Sequence, residues 1–176
     1  MTILLCHNRY RIRAGEDHVV DAEAAALRAR GHRVVIYTRD NAEIERFSIL
    51  GRLAAVLAAF HNPRTARDIR RIVASEHPDV AHVHNVLPLI SPGIYRVLQR
   101  CGVPVVQTIH NFRFVCINGL LFRDGRICHD CLEGRRWRCV CAGCYRHSRL
   151  QSLWYALILG WHRCRGTFTR CIDLLI

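Results

Sequence analysis

Short apolar runs that alternate with segments of helical spacing constrain this chain more than any other feature of its sequence. The apolar runs, rich in β-branched residues, are at residues 2–6, 33–37, 80–83, 103–109 and 171–176. Helical spacing occurs in the segments 16–30, 49–60, 65–75, 91–100 and 148–165, with Ser91 as the expected N-cap of the fourth. Strands that alternate with helices indicate βαβ units. The sequence therefore predicts an α/β fold, a Rossmann-like parallel sheet with flanking helices.

The dipeptide His-Asn follows three of these runs, where each strand is expected to end. The copies are His7-Asn8, His84-Asn85 and His110-Asn111. The carboxyl ends of parallel strands lie at one edge of a sheet, and α/β proteins bind ligands there. One copy alone is explained by a turn, because Asn tolerates the left-handed conformation. Three copies at equivalent places predict a shared polar crevice.

The charge of the chain is strongly basic and unevenly distributed. The formal net charge is +12, and all 26 basic residues are arginines. Residues 112–176 carry a net +7, against +5 for the longer segment 1–111. A hydrophobic content of 51% argues against disorder. The charge predicts a localised surface that attracts phosphates, nucleic acid or anionic lipid.

Nothing near the start of the sequence has the pattern of a secretory signal peptide, because His7 interrupts the first apolar run and no basic segment precedes it. The apolar run at residues 153–161 is nine residues long, whereas a membrane-spanning helix needs about 20. These features predict a cytoplasmic protein. Its ten cysteines are then expected to be mostly reduced, which makes metal binding a better interpretation than a disulfide framework.

A cysteine-rich insert is expected at residues 112–147. It contains two Cys-x-x-Cys pairs, Cys128/Cys131 and Cys141/Cys144, and Asp124-Gly125 predicts a hairpin turn before them. This spacing is typical of zinc knuckles, and a site closed by four thiolates would be structural. The alternative is a set of reduced cysteines without metal. The Arg-rich segment 135–138, which includes a tryptophan, also leaves a nucleic-acid-binding loop open.

The helical segment 148–165 has a broad apolar face flanked by arginines. A basic helix with leucines and tryptophans on its other face can lie in a membrane interface. The same pattern also suits a helix whose apolar face covers the sheet. The sequence alone leaves both interpretations open.

Several motifs give the whole chain a resemblance to the N-terminal half of family 4 retaining glycosyltransferases, enzymes of the two-domain GT-B architecture. They are Ala14-Gly15-Glu16-Asp17, the segment 78–85 (Pro-Asp-Val-Ala-His-Val-His-Asn) and the segment 104–111. The chain resembles a cysteine-containing subgroup of this family more specifically. The motifs of that subgroup are His110-Asn111-Phe112-Arg113, Cys116-Ile-Asn118-Gly119, Asp124-Gly125 before Cys128 and Cys131, and Cys144-Tyr145-Arg146.

The resemblance implies particular roles for residues of this chain. In the family, the first domain mainly binds the acceptor, and the second binds most of the nucleotide-sugar donor. Gly15 is then expected to approach the donor diphosphate, although Ala14 replaces one of the two usual glycines. His110 is expected beside the transferred sugar, where it supports the departing bond electrostatically. The other residues expected to bind donor or substrate are Glu16, His84, Asn85, Asn111 and Arg113.

The subgroup resemblance also selects a metal set. Cys116, Cys128, Cys131 and Cys144 are the expected ligands of a structural zinc, and Cys139 and Cys141 are extra to the pattern. The family needs no catalytic metal, so none is expected here.

The expected activity is transfer of a hexose from a nucleotide sugar to a glycan or lipid-linked acceptor in surface polysaccharide synthesis. The enzyme would work in the cytoplasm, peripherally on the inner face of the plasma membrane. Residues 1–176 are expected to form an incomplete N-terminal domain without the donor-binding domain, and to be inactive alone. The alternatives are a zinc-knuckle module that binds nucleic acid and a truncated remnant without function.

Overall fold

The computed structural model describes residues 1–12 and 15–176 of the chain. Two compact units make up this part of the chain. The sheet unit comprises Met1–Thr108 and Arg165–Ile176, and the cysteine unit comprises Ile109–Cys164. The insert expected at residues 112–147 lies within the cysteine unit.

The strands are β1 (Thr2–Arg9), β2 (Arg33–Asp40), β3 (Val80–Val83), β4 (Val105–Gln107), β5 (Phe122–Arg123), β6 (Arg126–Ile127) and β7 (Leu174–Leu175). The sheet unit contains a five-stranded sheet in the order β2-β1-β3-β4-β7. Every neighbouring pair in this sheet is parallel. The predicted α/β fold with a Rossmann-like parallel sheet is confirmed.

The helices are α1 (Gly15–Ala29), α2 (Ile49–Ala58), α3 (Pro63–Glu76), α4 (Gly93–Arg100), α5 (Trp137–Cys141), α6 (Arg149–Cys164) and α7 (Thr167–Arg170). A 3-10 helix, Asn41–Arg46, follows β2. The side-chain oxygen of Asn62 accepts hydrogen bonds from the N–H groups of Arg64 (3.0 Å) and Thr65 (3.3 Å), which caps the start of α3. Gly31, with φ +82°, follows α1 and ends it.

The core of the sheet unit forms around β1, the strand between β2 and β3. Leu4, Leu5 and Cys6 have no exposed surface, as expected for a parallel strand covered on both faces. Leu5 packs against Val20 and Ala24 of α1. Full burial of a leucine side chain stabilises the fold by about 1.5–3 kcal/mol.

Several predicted boundaries are wrong, among them the end of the second strand, which extends to Asp40, and the last strand, which is limited to Leu174–Leu175. β1 extends to Arg9, so His7 and Asn8 belong to the strand and do not follow it, because the ladder with β2 continues to the pair Arg9 and Asp40. The strand expected at residues 103–109 is limited to Val105–Gln107, because pairing with β3 covers three residues only. The cap of α4 is Pro92, and Ser91 has φ +69° instead of an N-cap conformation.

The cysteine unit contains the predicted hairpin. β5 and β6 pair antiparallel, and both residues of the turn between them have positive φ, +52° at Asp124 and +76° at Gly125. This is the type I′ geometry that suits a two-residue hairpin turn. In the described part of the chain, no helix combines the length and apolar character needed to cross a bilayer.

Candidate functional site

The first of the three predicted His-Asn pairs lies inside the sheet unit. His7 Nε2 is 3.0 Å from Asp17 Oδ1, and neither side chain is exposed. The backbone N–H of Asn85 donates to His7 Nδ1 at 3.4 Å, so Nε2 carries the proton that faces the carboxylate. Burial lowers the pKa of His7, although Asp17 acts in the opposite direction. The imidazole is therefore a neutral, buried group and not part of an exposed crevice.

The two asparagines of the sheet unit hold loops together. Asn8 Nδ2 donates to Asn41 Oδ1 at 2.9 Å, and Asn8 Oδ1 accepts from the N–H of Leu89 at 2.9 Å. Asn85 Nδ2 donates to the carbonyl of Asn8 at 3.0 Å, and Asn85 Oδ1 accepts from the N–H of Leu87 at 3.1 Å. These bonds give Asn8 and Asn85 a structural role in this conformation, whatever else they bind.

The other expected binding residues of the sheet unit lie in α1 and after β3. Gly15 is the first residue of α1, and no described heavy atom lies within 4 Å of the place a Cβ would occupy. Glu16 follows it and is half-buried. Ala14 lies outside the described residues. His84 is buried, its ring 6.1 Å from that of His7. The rings of His7 and His84 are therefore neighbours in the interior of the sheet unit.

A cavity of about 510 Å³ lies beside α2 in the sheet unit. Its lining is mostly apolar and includes Phe47, Leu57 and Leu89, together with Arg39 and Arg64. Arg39 is only 7% exposed, and its Nε and Nη2 donate to the carboxylate of Glu43 at 2.8 and 2.7 Å.

The hydrogen bond to Glu43 raises the pKa of Arg39, so the guanidinium is fully charged. Its Nη1 is buried and has no hydrogen-bond partner among the described residues. A buried donor beside apolar walls suits a ligand that combines an anionic or polar group with apolar surface. Sequence reasoning missed this cavity, because its lining comes from four separate segments.

The third His-Asn pair and Arg113 belong to the cysteine unit. His110 and Asn111 are half-buried, three and four residues after β4. Asn111 Oδ1 accepts from the N–H of Arg113 at 3.1 Å. The guanidinium of Arg113 lies 5.9 Å from the ring centroids of both Tyr145 and Tyr155. The two aromatic rings fix the orientation of the Arg113 guanidinium. Arg113 lies three residues after His110 in the sequence.

Several of the cysteines of the insert interact with one another. The thiol of Cys131 is close enough to the thiols of Cys116 and Cys139 for each of them to affect its pKa. Cys144 is close enough to act electrostatically on Cys116 and Cys131. The thiol of Cys116 lowers the pKa of Cys131, but Cys139 and burial outweigh this effect and raise that pKa to about 11. Cys139, expected to be an extra residue, is 2% exposed and belongs to this cysteine cluster, whereas Cys141 is exposed.

The donor set of the cysteine cluster fits zinc in its chemistry, because thiolates are the preferred ligands of structural zinc. The thiols contact one another in pairs. Among the described residues, the group of three ligand atoms that all lie within 4.8 Å of one another is that of Glu23, His82 and His84. The sulfur atoms of the insert are therefore farther apart than the atoms of that group. A zinc ion would have to draw the expected four, Cys116, Cys128, Cys131 and Cys144, closer together.

Asp130, between Cys128 and Cys131, is surrounded by arginines. Its carboxylate accepts hydrogen bonds from Arg123 (2.9 Å) and Arg138 (3.1 Å), and Arg135 Nε lies 3.2 Å away. Burial acts to raise the pKa of Asp130, but the three guanidinium groups outweigh it and lower that pKa. Asp130 therefore ties the hairpin to the segment around α5. Sequence reasoning missed Asp130, because the cysteine spacing was the pattern considered in this segment.

Two helices expose apolar faces. The five large apolar side chains of α2 are all exposed, from 43% at Val56 to 81% at Ile49. The helix α6 buries Tyr155, Ile158 and Leu159 on one side. Its other side exposes a row of apolar residues at helical spacing, Leu150, Leu153, Leu157 and Trp161. Both faces are larger than the scattered exposed apolar groups of an ordinary surface, so they are candidate interaction sites.

Comparison with known protein families identifies a match. The family described as glycosyl transferase 4-like domain matches residues 15–163. The matched segment contains α1, β2, β3 and β4 and nearly all of the cysteine unit. Among curated proteins, no match to this chain is found.

Proposed function

Because this chain belongs to the glycosyl transferase 4-like domain family, we propose that it is the acceptor-side part of a retaining hexosyltransferase. The enzyme transfers a sugar from a nucleotide-sugar donor to a glycan or lipid-linked acceptor in surface polysaccharide synthesis. The observation that carries this proposal is the family match over residues 15–163, on a five-stranded parallel sheet. The family determines the class of reaction, and the residues below support the finer roles.

His110 is the proposed catalytic residue. Its imidazole lies beside the transferred sugar and supports the charge that develops as the bond to the diphosphate breaks. Interactions of this kind accelerate a reaction when they are stronger in the transition state than with bound substrate. Arg113 and Asn111 follow it directly, and the guanidinium of Arg113, held against Tyr145 and Tyr155, offers positive charge to a phosphate.

The remaining residues of the expected site bind donor and acceptor. Gly15 and Glu16 form the first turn of α1, where backbone N–H groups without helical partners favour an anion such as the donor diphosphate. His84 and Asn85 follow β3, at the edge of the sheet where α/β proteins bind ligands. Their present contacts are internal, so we propose that they position neighbouring groups of the binding site.

The cavity beside α2 is the proposed acceptor pocket. A lipid-linked acceptor combines an anionic phosphate with a hydrocarbon chain, and the cavity combines the buried guanidinium of Arg39 with apolar walls. The exposed apolar face of α2 is adjacent in sequence to the pocket residues Phe47 and His61. Leu57 belongs to this face and also lines the pocket, so we propose that a carrier lipid enters the pocket along α2.

We also propose that the protein lies peripherally on the inner face of the plasma membrane. The apolar row of α6 would enter the headgroup region. The net charge of +12 would attract the anionic lipids of that leaflet. The exposed arginines at both ends of α6, Arg149 and Arg165, add to this attraction.

A structural zinc ion held by Cys116, Cys128, Cys131 and Cys144 would fix the insert, which has few buried apolar groups. No catalytic role is proposed for this ion, because four thiolates leave no open coordination position. The nucleic-acid alternative receives no support from the family match. Two of the three arginines in the segment 135–138 are also engaged by Asp130, which reduces the charge available to a nucleic acid.

The proposed activity can be tested with the protein as its gene encodes it. Purified protein is mixed with anionic vesicles that contain a polyprenyl-phosphate-linked acceptor and with radiolabelled nucleotide sugars, each offered separately. Incorporation of label into the lipid fraction from one nucleotide sugar is the expected result. Binding of a single-stranded oligonucleotide, without binding or transfer of any sugar nucleotide, would instead support the nucleic-acid alternative.

A further inference from the structure

Two histidines and a glutamate converge beneath α1 in the sheet unit. His82 lies in β3 and His84 follows that strand, so the two imidazoles are on the same face of the strand. Glu23 reaches them from α1, with Oε1 2.7 Å from His82 Nδ1 and Oε2 3.4 Å from His84 Nε2. The two rings lie against each other, with their centroids 4.5 Å apart.

The ligand atoms of these three residues are close enough together to contact one metal ion. The three ligand atoms all lie within 4.8 Å of one another. Zinc binds histidine nitrogen and carboxylate oxygen at about 2.0–2.2 Å, so neighbouring ligands of a tetrahedral site are roughly 3.3 Å apart. Glu23 Oε1 is 2.7 Å from His82 Nδ1, and Glu23 Oε2 is 3.4 Å from His84 Nε2, so each histidine faces one oxygen of the carboxylate at a comparable distance. Little rearrangement would be needed to admit an ion.

The surroundings of the three residues also suit a metal site. His82 Nε2, the nitrogen directed away from Glu23, lies 2.7 Å from Thr108 Oγ1. Metal-binding histidines usually have such a partner on their second nitrogen, which fixes the orientation of the ring. The histidines are buried, whereas the side chain of Glu23 is 28% exposed. An ion and a water ligand could therefore reach the site from the side of Glu23.

We propose that Glu23, His82 and His84 bind one divalent transition-metal ion of the zinc type. The ion takes the place of the proton between Glu23 and His82 Nδ1, so binding releases that proton to solvent. Two imidazoles and a carboxylate are a ligand set that zinc accepts, and they leave one coordination position open. The site ties α1 to the carboxyl end of β3, and it is separate from the cysteine cluster in its ligands.

The test measures zinc retained by the reduced, full-length chain after loading with Zn²⁺ and desalting. We expect the wild-type protein to retain one more zinc ion per chain than the Glu23→Gln or His84→Gln variant. The matched control is His18→Gln, which removes an exposed imidazole from α1 and should retain the wild-type content. Thr108→Val should weaken zinc binding about 10–100-fold, because it removes the partner of His82.

A second measurement separates this site from the cysteines and does not depend on variants of the site folding. Co²⁺ added to the Cys131→Ser variant should give visible d–d bands without a thiolate charge-transfer band. Zn²⁺ should also raise the Tm of the wild-type protein more than that of Glu23→Gln. Equal zinc content in wild type and Glu23→Gln, or cobalt spectra of thiolate character alone, would show that the three residues form only a hydrogen-bonded network.

Discussion

His7 Nε2 lies 3.0 Å from Asp17 Oδ1, and both side chains are completely buried. The pair connects β1 to α1 in the interior of the sheet unit. Replacing His7 by Ala removes the imidazole donor from a buried carboxylate, so we expect the free energy of unfolding to fall by about 3 kcal/mol. Urea denaturation measures this change. His18→Ala, at an exposed position of α1, should change stability by no more than about 0.5 kcal/mol.

The same pair should make stability depend on pH. Because burial lowers the pKa of His7, the folded protein binds fewer protons there than the unfolded chain. Stability rises with pH wherever the unfolded state binds more protons. The contribution of His7 is therefore complete above the unfolded pKa of about 6.5 and decreases as the pH falls below it. The His7→Ala variant should lose this part of the pH dependence, and an unchanged profile would contradict the assignment.

Asp130 and its three arginines give a second pH-dependent contribution, within the cysteine unit. Because the arginines lower the pKa of Asp130, its stabilisation is complete above the unfolded pKa of about 3.9. It is lost as the pH falls through the lower pKa of the folded state. Asp130→Asn should decrease the Tm and remove this acid dependence, whereas Asp124→Asn, at an exposed position, should do neither. Tryptophan fluorescence reports the result, because Trp137, Trp154 and Trp161 are all in the cysteine unit.

His110 should matter for turnover and little for folding. In the complete enzyme, we expect His110→Ala to reduce kcat about 100-fold or more, as for loss of other groups that stabilise transition-state charge. The free energy of unfolding should change by less than about 0.5 kcal/mol. The control is His129→Ala, because His129 is exposed in the cysteine unit. Unchanged kcat in His110→Ala would assign the chemistry to another residue.

The apolar face of α6 should carry part of the attachment to membranes. Leu153→Ser combined with Leu157→Ser should weaken binding to anionic vesicles, about tenfold for each leucine, because burial of a leucine is worth about 1.5–3 kcal/mol. Sedimentation with phosphatidylglycerol vesicles measures this. Leu132→Ser, at another exposed site of the same unit, is the control. Equal sedimentation of the wild-type protein and the double variant would exclude α6 from the membrane-binding surface.

The cysteine cluster should bind one zinc ion in protein purified under reducing conditions. Cys131→Ser removes the thiol that contacts two others, so we expect it to lose that ion, as measured by elemental analysis. Cys141→Ser should retain it, because Cys141 is exposed. Cys139→Ser decides whether the contact of Cys139 with Cys131 marks a fifth candidate ligand. If chelator changes neither the metal content nor the fluorescence, the cysteines are reduced thiols without metal.

Sequence reasoning found most of the sheet, because its signals are local. The continuous apolar runs of buried strands and the alternation with helices are visible within windows of about ten residues. The same is true of the Asp124-Gly125 turn, which acts over neighbouring residues. The strand ends were less accurate. His7 looks like the polar end of a strand until Asp17 supplies a buried partner for it.

The sequence identified several residues of the candidate site, but it did not show which residues contact one another. The sequence marked His84, but Glu23 is separated from it by 61 residues, and only the packing of α1 on the sheet brings the two within 3.4 Å. The subgroup resemblance leaves Cys139 out of the expected metal set, yet folding of the insert places its thiol close to that of Cys131. The cavity at Arg39 has no sequence signal, since its walls come from β2, α2, α3 and the segment after β3.

The sequence by itself determined that this protein is an α/β chain with a parallel sheet, because hydrophobic period and turn chemistry act between near neighbours. The tertiary structure alone decided which polar groups meet: His7 with Asp17, Glu23 with His82 and His84, and Asp130 with its arginines. The physical reason is that a buried charge is stable only beside a partner. Strand register and helix packing determine that partner. The partner can be distant in the sequence, so no local sequence pattern predicts it.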